Sequence, residues 1–250
     1  MATAILLETD RVEDRLAQRA AAPGLLPAGG KALLTHVARA LRQLSDIDKL
    51  VLVGPTAYQE QTGVLAQVDD ALLLDAPVGA LVEAACERFG GADELLLCRP
   101  NTPLLRPEMV ERFLAHAPLD AALNLTVVRE ERFRASFPEL PEPPVSHLGA
   151  ERVVWASLVL VRPAALSGHR ALLQRVLGEQ LVHAELAKAL GVGFAIKLST
   201  GRASVDELAR RLSDLLGAPA VIHFAPFPEL ALRVHGRAEY HLARELLEAA

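Results

Sequence analysis

Two cysteines, Cys86 and Cys98, are all the chain has. That is too little thiol for a disulfide framework or a cysteine-ligated zinc site, and it predicts a reducing, cytoplasmic setting. Positive charge is also in short supply. Lys and Arg number 26 against 31 Asp and Glu, for a formal net charge of -5, and the basic residues are scattered rather than clustered. Nucleic-acid binding, which needs a concentrated basic face, is therefore not expected. No apolar run approaches the length of a membrane span, and the opening stretch lacks a basic segment and meets an acid at Glu8, so neither a spanning helix nor a secretory leader is expected. What is plentiful is core material: 51% of 250 residues are hydrophobic, which excludes disorder for most of the chain and suffices for one large domain or two small ones.

Short runs of Val, Ile and Leu alternate with stretches of helical spacing, the pattern of an α/β sheet with crossover helices. Strands are expected at Ala4–Leu7, Lys49–Gly54, Glu94–Cys98, Ala121–Val128 and Val153–Val161, with one or two more between Val64 and Leu74. Helices are expected from Lys31 to Leu44, with Leu33, Leu34, Val37 and Leu41 as the buried stripe, from Gly79 to Phe89 and from Pro107 to Ala115. The proline-rich stretch Phe137–Pro144 suits an excursion at a sheet edge. From Arg162 onward helices dominate, broken at Gly191-Val192-Gly193, with a short strand expected at Phe194–Leu198 and a strand-helix pair from Ala231. Ser204 followed by Glu207 has the spacing of a helix capping box. Without repeats or a low-complexity linker, residues 1–250 read as a single domain whose last portion, from about 162, packs back on the sheet.

Several segments, in order, resemble the MobA-like NTP transferase family. They are Gly24-Leu25-Leu26-Pro27-Ala28-Gly29-Gly30-Lys31-Ala32-Leu33-Leu34, Gly79-Ala80-Leu81-Val82-Glu83, Asn101-Thr102-Pro103-Leu104-Leu105, the strand Trp155 to Pro163, Leu190 to Phe194 and Phe227 to His235. The resemblance runs from Ala4 to Leu247. It implies a three-layer, Rossmann-like nucleotide-diphospho-sugar transferase (GT-A-like) fold with a mostly parallel central sheet. The implied activity is transfer of a nucleotidyl group from an NTP to a phosphorylated small-molecule acceptor, with Mg²⁺ or Mn²⁺ as cofactor.

That chemistry joins two anionic partners, so it needs a Gly-rich loop to cradle phosphates, a mobile cation and carboxylates for the metal. At the family positions this chain carries other residues. The loop after the first strand is Glu8-Thr9-Asp10-Arg11-Val12-Glu13-Asp14, with four carboxylates and no glycine. The lysine position falls on Pro23, which has neither charge nor N–H, and the two metal positions fall on Asn101 and His235. Each lost electrostatic group costs about 3 kcal/mol of transition-state stabilisation. A degenerate domain retained for binding, regulation or assembly is the expectation, with an active enzyme drawing a rearranged metal set from Asp10, Asp14, Asn101 and His235 as the alternative. A third possibility is a subunit that pairs with itself or with an active homologue.

Candidate residues follow from the same positions. Thr9, Asp10, Arg11, Gly79 and Arg99 are candidates for nucleotide or nucleotide-sugar binding, and Arg99 and Arg129 sit at strand ends where an anion could be held. Asn101 and His235, with Glu239 one turn on, are the candidate metal ligands, although a polar loop and a histidine without a ligand are the commoner outcome. Gly29-Gly30-Lys31 precedes a helix but lacks the first glycine and the hydroxyl of a Walker loop. The acids Glu8, Asp10, Glu13 and Asp14 fit a cation or a basic partner, but most simply a solvated loop with a capping aspartate. Cys98 is a candidate nucleophile without a nearby histidine, and inert packing is the usual role of such a thiol. Trp155 replaces a family glycine and has the bulk to fill a sugar-side pocket.

Overall fold

The computed structural model describes residues 2–10, 12–166 and 191–249. Its first strand, β1 (Ala2–Leu7), is buried along its whole length, as expected of a strand covered on both faces. A one-turn helix α1 (Asp14–Ala17) follows. A 3-10 turn at Pro23–Leu25 then leads to a hairpin of β2 (Pro27–Ala28) and β3 (Lys31–Ala32). Ala28 pairs with Lys31, so Gly29 and Gly30, at φ +55° and +73°, form the two-residue turn between them. Left-handed backbone at both positions is what a hairpin turn of that length demands. These glycines therefore turn a hairpin, and helix α2 (Leu33–Arg42) begins two residues later than the sequence suggests.

Strand β4 (Ile47–Gly54), helix α3 (Thr62–Leu65), β5 (Asp70–Leu73), α4 (Val78–Phe89), β6 (Leu95–Cys98) and α5 (Pro107–His116) continue the alternation. Next come β7 (Leu123–Arg129), α6 (Glu130–Ser136), β8 (Ser146–Leu148), β9 (Glu151–Val161) and α7 (Pro163–Leu166). Beyond the undescribed stretch lie α8 (Val192–Ser199), α9 (Val205–Leu216), β10 (Ala220–Phe224) and α10 (Arg237–Glu248). Most of the helical portion expected after Arg162 and before Gly191 falls outside the described residues.

The central sheet runs β10-β7-β9-β6-β1-β4-β5, with β8 added to β9 as a hairpin. All neighbours are parallel except β9, which lies antiparallel between β6 and β7, and β8. One face packs α4 and α9 through Leu81, Val82, Ala85, Leu208 and Leu212. The other packs α2 and α5 through Leu34, Val37, Leu41, Met109 and Val110. The result is the three-layer, mostly parallel arrangement expected.

Two expectations for the later part of the chain are corrected. Phe194–Leu198 is helical, inside α8, where Gly191 at φ +89° supplies the entry. A run of five apolar or mixed residues fits either period, and here the helix takes it. The strand expected at Ala231 lies instead at Ala220–Phe224. Residues 228–231 form a 3-10 turn, and Val234 is tied to the chain by its N–H donating to the Asn101 carbonyl at 2.8 Å. The capping box is present, with the Glu207 N–H donating to Ser204 Oγ at 3.2 Å and the Ser204 N–H to Glu207 Oε2 at 3.1 Å.

Candidate functional site

The strand ends of β1, β4 and β6 open on the same edge of the parallel sheet, where α/β folds place their ligands. Glu8 extends β1 by one rung, its N–H donating to the Val53 carbonyl at 2.9 Å. Its side chain turns inward and is buried. Oε2 accepts from the Gly24 N–H and from the Tyr58 hydroxyl, both at 2.8 Å, while Oε1 has no partner. Two glycines make the room. A Cβ on Gly54 would stand 2.9 Å from the Glu8 Cβ, and one on Gly24 would stand 2.4 Å from the Tyr58 hydroxyl and 2.9 Å from Glu8 Oε2. Burial, followed by the nearby Asp10 charge, pushes the Glu8 carboxyl up to about 8, so it is protonated at neutral pH. Burial and Glu8 together likewise raise the Tyr58 phenol.

Asp10 is the centre of the second arrangement. Oδ1 accepts from Arg99 at 2.8 Å and from Arg233 at 3.4 Å, and Oδ2 accepts from Asn101 Nδ2 at 2.7 Å. The aspartate side chain is only 4% exposed, and the two arginines are 14% and 18% exposed. Burial alone would raise this carboxyl, but the guanidinium of Arg99, then that of Arg233 and the Asn101 hydrogen bond hold it well below the usual carboxylate range. Asn101, fully buried, donates a second bond to the Val234 carbonyl at 3.0 Å, and its Oδ1 lacks a partner. The ends of β1 and β6 are thus fastened to the segment that precedes α10.

The expected solvated acidic loop is corrected at its first half: Glu8 and Asp10 are buried, while Glu13 is exposed. Glu13 caps the neighbouring helix, its Oε2 accepting from the Arg237 N–H at 3.1 Å. Of the other candidates, Thr9 has a buried, unpartnered Oγ1 beside this cluster. Arg11 lies outside the described residues. Pro23 is buried in the 3-10 turn next to Gly24, and Gly79 sits in the first turn of α4. Arg129, at the end of β7, pairs with Glu151 at 3.0 Å and lies over the Phe224 ring, two strands from β6. Trp155 is half-buried in β9 and donates to Ser146 Oγ at 3.0 Å. Cys98 is buried, and burial pushes its thiol up to about 12, which makes it packing rather than a nucleophile.

A family metal fits poorly. Asn101 Nδ2 is committed to Asp10 and Val234, Asp10 is committed to two arginines, and His235 has an exposed side chain and a carbonyl that accepts from the Glu13 N–H at 3.0 Å. Among the described residues no group of three or more His, Cys, Asp and Glu side chains could hold a metal ion. A hard divalent cation needs several free, preferably anionic oxygens, and the unpartnered oxygens at this edge are an amide oxygen of Asn101, the Thr9 hydroxyl and one oxygen of the protonated Glu8 carboxyl.

Tyr58 and Arg233 belong to the site and were not legible in advance. Tyr58 stands 50 residues from Glu8, and Arg233 stands 223 residues from Asp10. The only local signals were Gly24 and Gly54, small residues beside a strand end where a bulky group must pass.

A family model described as MobA-like NTP transferase domain matches residues 23–191. Among solved structures, a hypothetical transferase from Thermus thermophilus superposes with a TM-score of 0.76 at 23% identity, covering 93% of this chain and 96% of that one. A 4-diphosphocytidyl-2C-methyl-D-erythritol synthase from Anaerococcus prevotii gives 0.62 at 8% identity, covering 99% and 98%. A CMP:2-keto-3-deoxy-manno-octonic acid synthetase complexed with CTP gives 0.57 at 14%, covering 99% and 98%. These likenesses place the fold among nucleotide-diphospho-sugar transferases. No curated protein matches the sequence. Among the described residues no helix is long and apolar enough to cross a membrane.

Proposed function

Because the chain belongs to the MobA-like NTP transferase family, we propose that it is a nucleotidyltransferase-like domain whose cleft is held shut by its own carboxylate. In this reading it acts as a cytoplasmic binding, regulatory or assembly module rather than by metal-assisted nucleotidyl transfer. One observation carries the reading: Asp10, buried at the end of β1, is clasped by Arg99 and Arg233. In a family that must bring a triphosphate to this edge, two guanidinium groups are natural phosphate partners. Here both are engaged from within by one buried carboxylate, which cancels half of the charge they could offer an approaching triphosphate. The neighbouring Glu8 side chain fills the space that a glycine loop would leave for phosphates. A nucleotide or nucleotide sugar remains the natural ligand if the clasp opens, and a protein partner or a second copy of the chain is the natural target of a module that stays closed.

The experiment is pyrophosphate release from the four common NTPs with Mg²⁺ or Mn²⁺, run beside melting of the wild type and of Asp10→Asn with each NTP. The wild type should release no pyrophosphate and should not shift. The variant, which frees part of the guanidinium charge, should gain a melting shift with triphosphates; a ligand at a hundred times its dissociation constant adds about 2.7 kcal/mol. Metal-dependent pyrophosphate release by the wild type would overturn the proposal.

A further inference from the structure

A cavity of about 200 Å³ lies between α5, the end of β10 and the 3-10 turn at Pro228–Ala231, with none of Glu8, Asp10, Arg99, Asn101 or Arg233 in its lining. Its walls are apolar and aromatic, including Met109, Phe113 and Phe227, and Arg112 and His116 stand on α5 at its edge. Its floor is polar. Along β7, Leu123, Leu125 and Val127 enter the core beneath α4 and α9, so the alternation of the strand turns Asn124 and Thr126 to the face of α5, where Thr126 lines the cavity and Asn124 lies behind its lining. On that same face the adjacent β9 contributes Leu158 and Leu160. The outer strand β10 contributes His223, in register with Thr126. Polar floor residues beside a leucine pair cost stability unless each is partnered.

The partners are only partly supplied from within. Thr126 Oγ1 donates to the Leu158 carbonyl at 2.6 Å. His223 Nε2 donates to Asn124 Oδ1 at 2.9 Å, and the fully buried Asn124 Nδ2 is left without a partner. With Nε2 carrying the proton, the neutral imidazole keeps Nδ1 as an acceptor. Burial, followed by the nearby His116 charge, lowers the pKa of His223 and keeps the ring neutral. Phe113 meets that ring edge-on with centroids 5.7 Å apart, which fixes its plane. At the edge, the exposed Arg112 guanidinium lies 5.8 Å from the centre of the Phe227 ring.

We propose that this cavity binds a single-ring aromatic acid that carries a hydroxyl, with the ring among Phe113, Phe227 and Met109, the hydroxyl donating to His223 and the carboxylate meeting Arg112. The size agrees: an apolar cavity of about 150 Å³ takes a benzene ring, so the present one has room for a ring and small substituents. The combination of one neutral acceptor on the floor and one permanent cation at the edge selects a ligand with a donor at one end and an anion at the other. The site is independent of the reading of the cleft, and either can fail without the other.

The probe is 4-hydroxybenzoate, followed by calorimetry and by NMR of the histidine ring signals. Saturable binding in the millimolar range or tighter is expected, with the His223 and His116 ring signals moving together. Arg112→Gln, at an exposed position that leaves the fold intact, should weaken 4-hydroxybenzoate by about tenfold and leave the binding of phenol unchanged. The proposal is overturned by any of three results: no saturable binding at millimolar probe, binding that leaves the His223 signals in place, or equal affinity in Arg112→Gln.

Discussion

Asp10 and Asp69 make a natural pair, since both flank strands of the sheet and each carboxylate accepts from arginine and from one further donor, using both of its oxygens. Asp69 accepts from Arg42 at 2.9 and 2.8 Å and also from the Leu50 N–H at 2.8 Å, but its side chain is 39% exposed and that of Arg42 is 43% exposed. Asp10 has similar distances and is 4% exposed. Water competes for every donor around Asp69, so its ion pair adds little beyond what solvent would supply. Around Asp10 there is almost no such competition. The two arginines and Asn101 were chosen with it as a set, and removing any one leaves the others charged or polar in a buried place. The count of hydrogen bonds is alike in the two regions, and the burial decides how much each matters.

The sharpest way to break that contrast is Asp10→Ala. It removes the buried carboxylate that Arg99 and Arg233 share and leaves Asn101 Nδ2 only its bond to the Val234 carbonyl, and a loss of about 3–5 kcal/mol is expected, read from denaturant midpoints at unchanged slope. The matching change at the surface should be far smaller.

A titration sharpens the comparison at intermediate size. Glu8 has its folded pKa raised to about 8 from the ordinary 4.5. Its contribution is therefore fully present below pH 4.5 and is lost as pH rises through 8, because the unfolded chain releases the proton first. Asp10, whose pKa is lowered, works the other way and contributes above the ordinary aspartate range, losing its contribution as the solution is acidified. Stability should thus decline between pH 5 and 8 in the wild type. Glu8→Gln, which cannot ionise, should flatten that decline and leave the variant about 1–3 kcal/mol more stable than the wild type at pH 8. Melting curves across that pH range measure it, and a slope unchanged by the substitution would show that Glu8 is not the group responsible.

The smallest effect belongs to Arg42→Ala, with a cost of about 0–1 kcal/mol that shrinks further in high salt. Chemical denaturation in low and high salt reads it. A cost equal to that of Asp10→Ala would erase the distinction between the two aspartates.

The same contrast explains how much could be read beforehand. Strands β1, β4 to β7 and β9, the buried stripe of α2 and the capping box of α9 follow from local pattern, because neighbours three, four or two residues apart carry the signal, whereas the short β8 and the β2–β3 hairpin carry too few residues to show a period. The family motifs locate the edge of the sheet where β1 and β6 end. In sequence Glu8 and Asp10 look solvated because carboxylates usually are, and because Tyr58, Arg99 and Arg233 lie 50, 89 and 223 residues away along the chain. No window of sequence contains such a set. The misplaced strand near Ala231 has a related cause. Leu232 and Val234 are buried like strand residues, but in two separate apolar clusters, Leu232 among Val128, Phe133 and Leu242 and Val234 among Leu26, Leu33 and Tyr240, and not in a ladder. Phe194–Leu198 failed for a different reason, a short apolar run that two periodicities fit equally well.

The fastening of Asn101 to Val234 spans 133 residues, which sets a clock on synthesis. At roughly 5–20 residues per second on the ribosome, the amide that steadies Asp10 waits on the order of ten seconds for the carbonyl it will hold. During that interval β1, β4, β5 and β6 are already made and can pair in parallel, while the edge they share still lacks Arg233. The nascent protein therefore passes through a period in which this edge is open and electrostatically unbalanced, before the late segment arrives to close it.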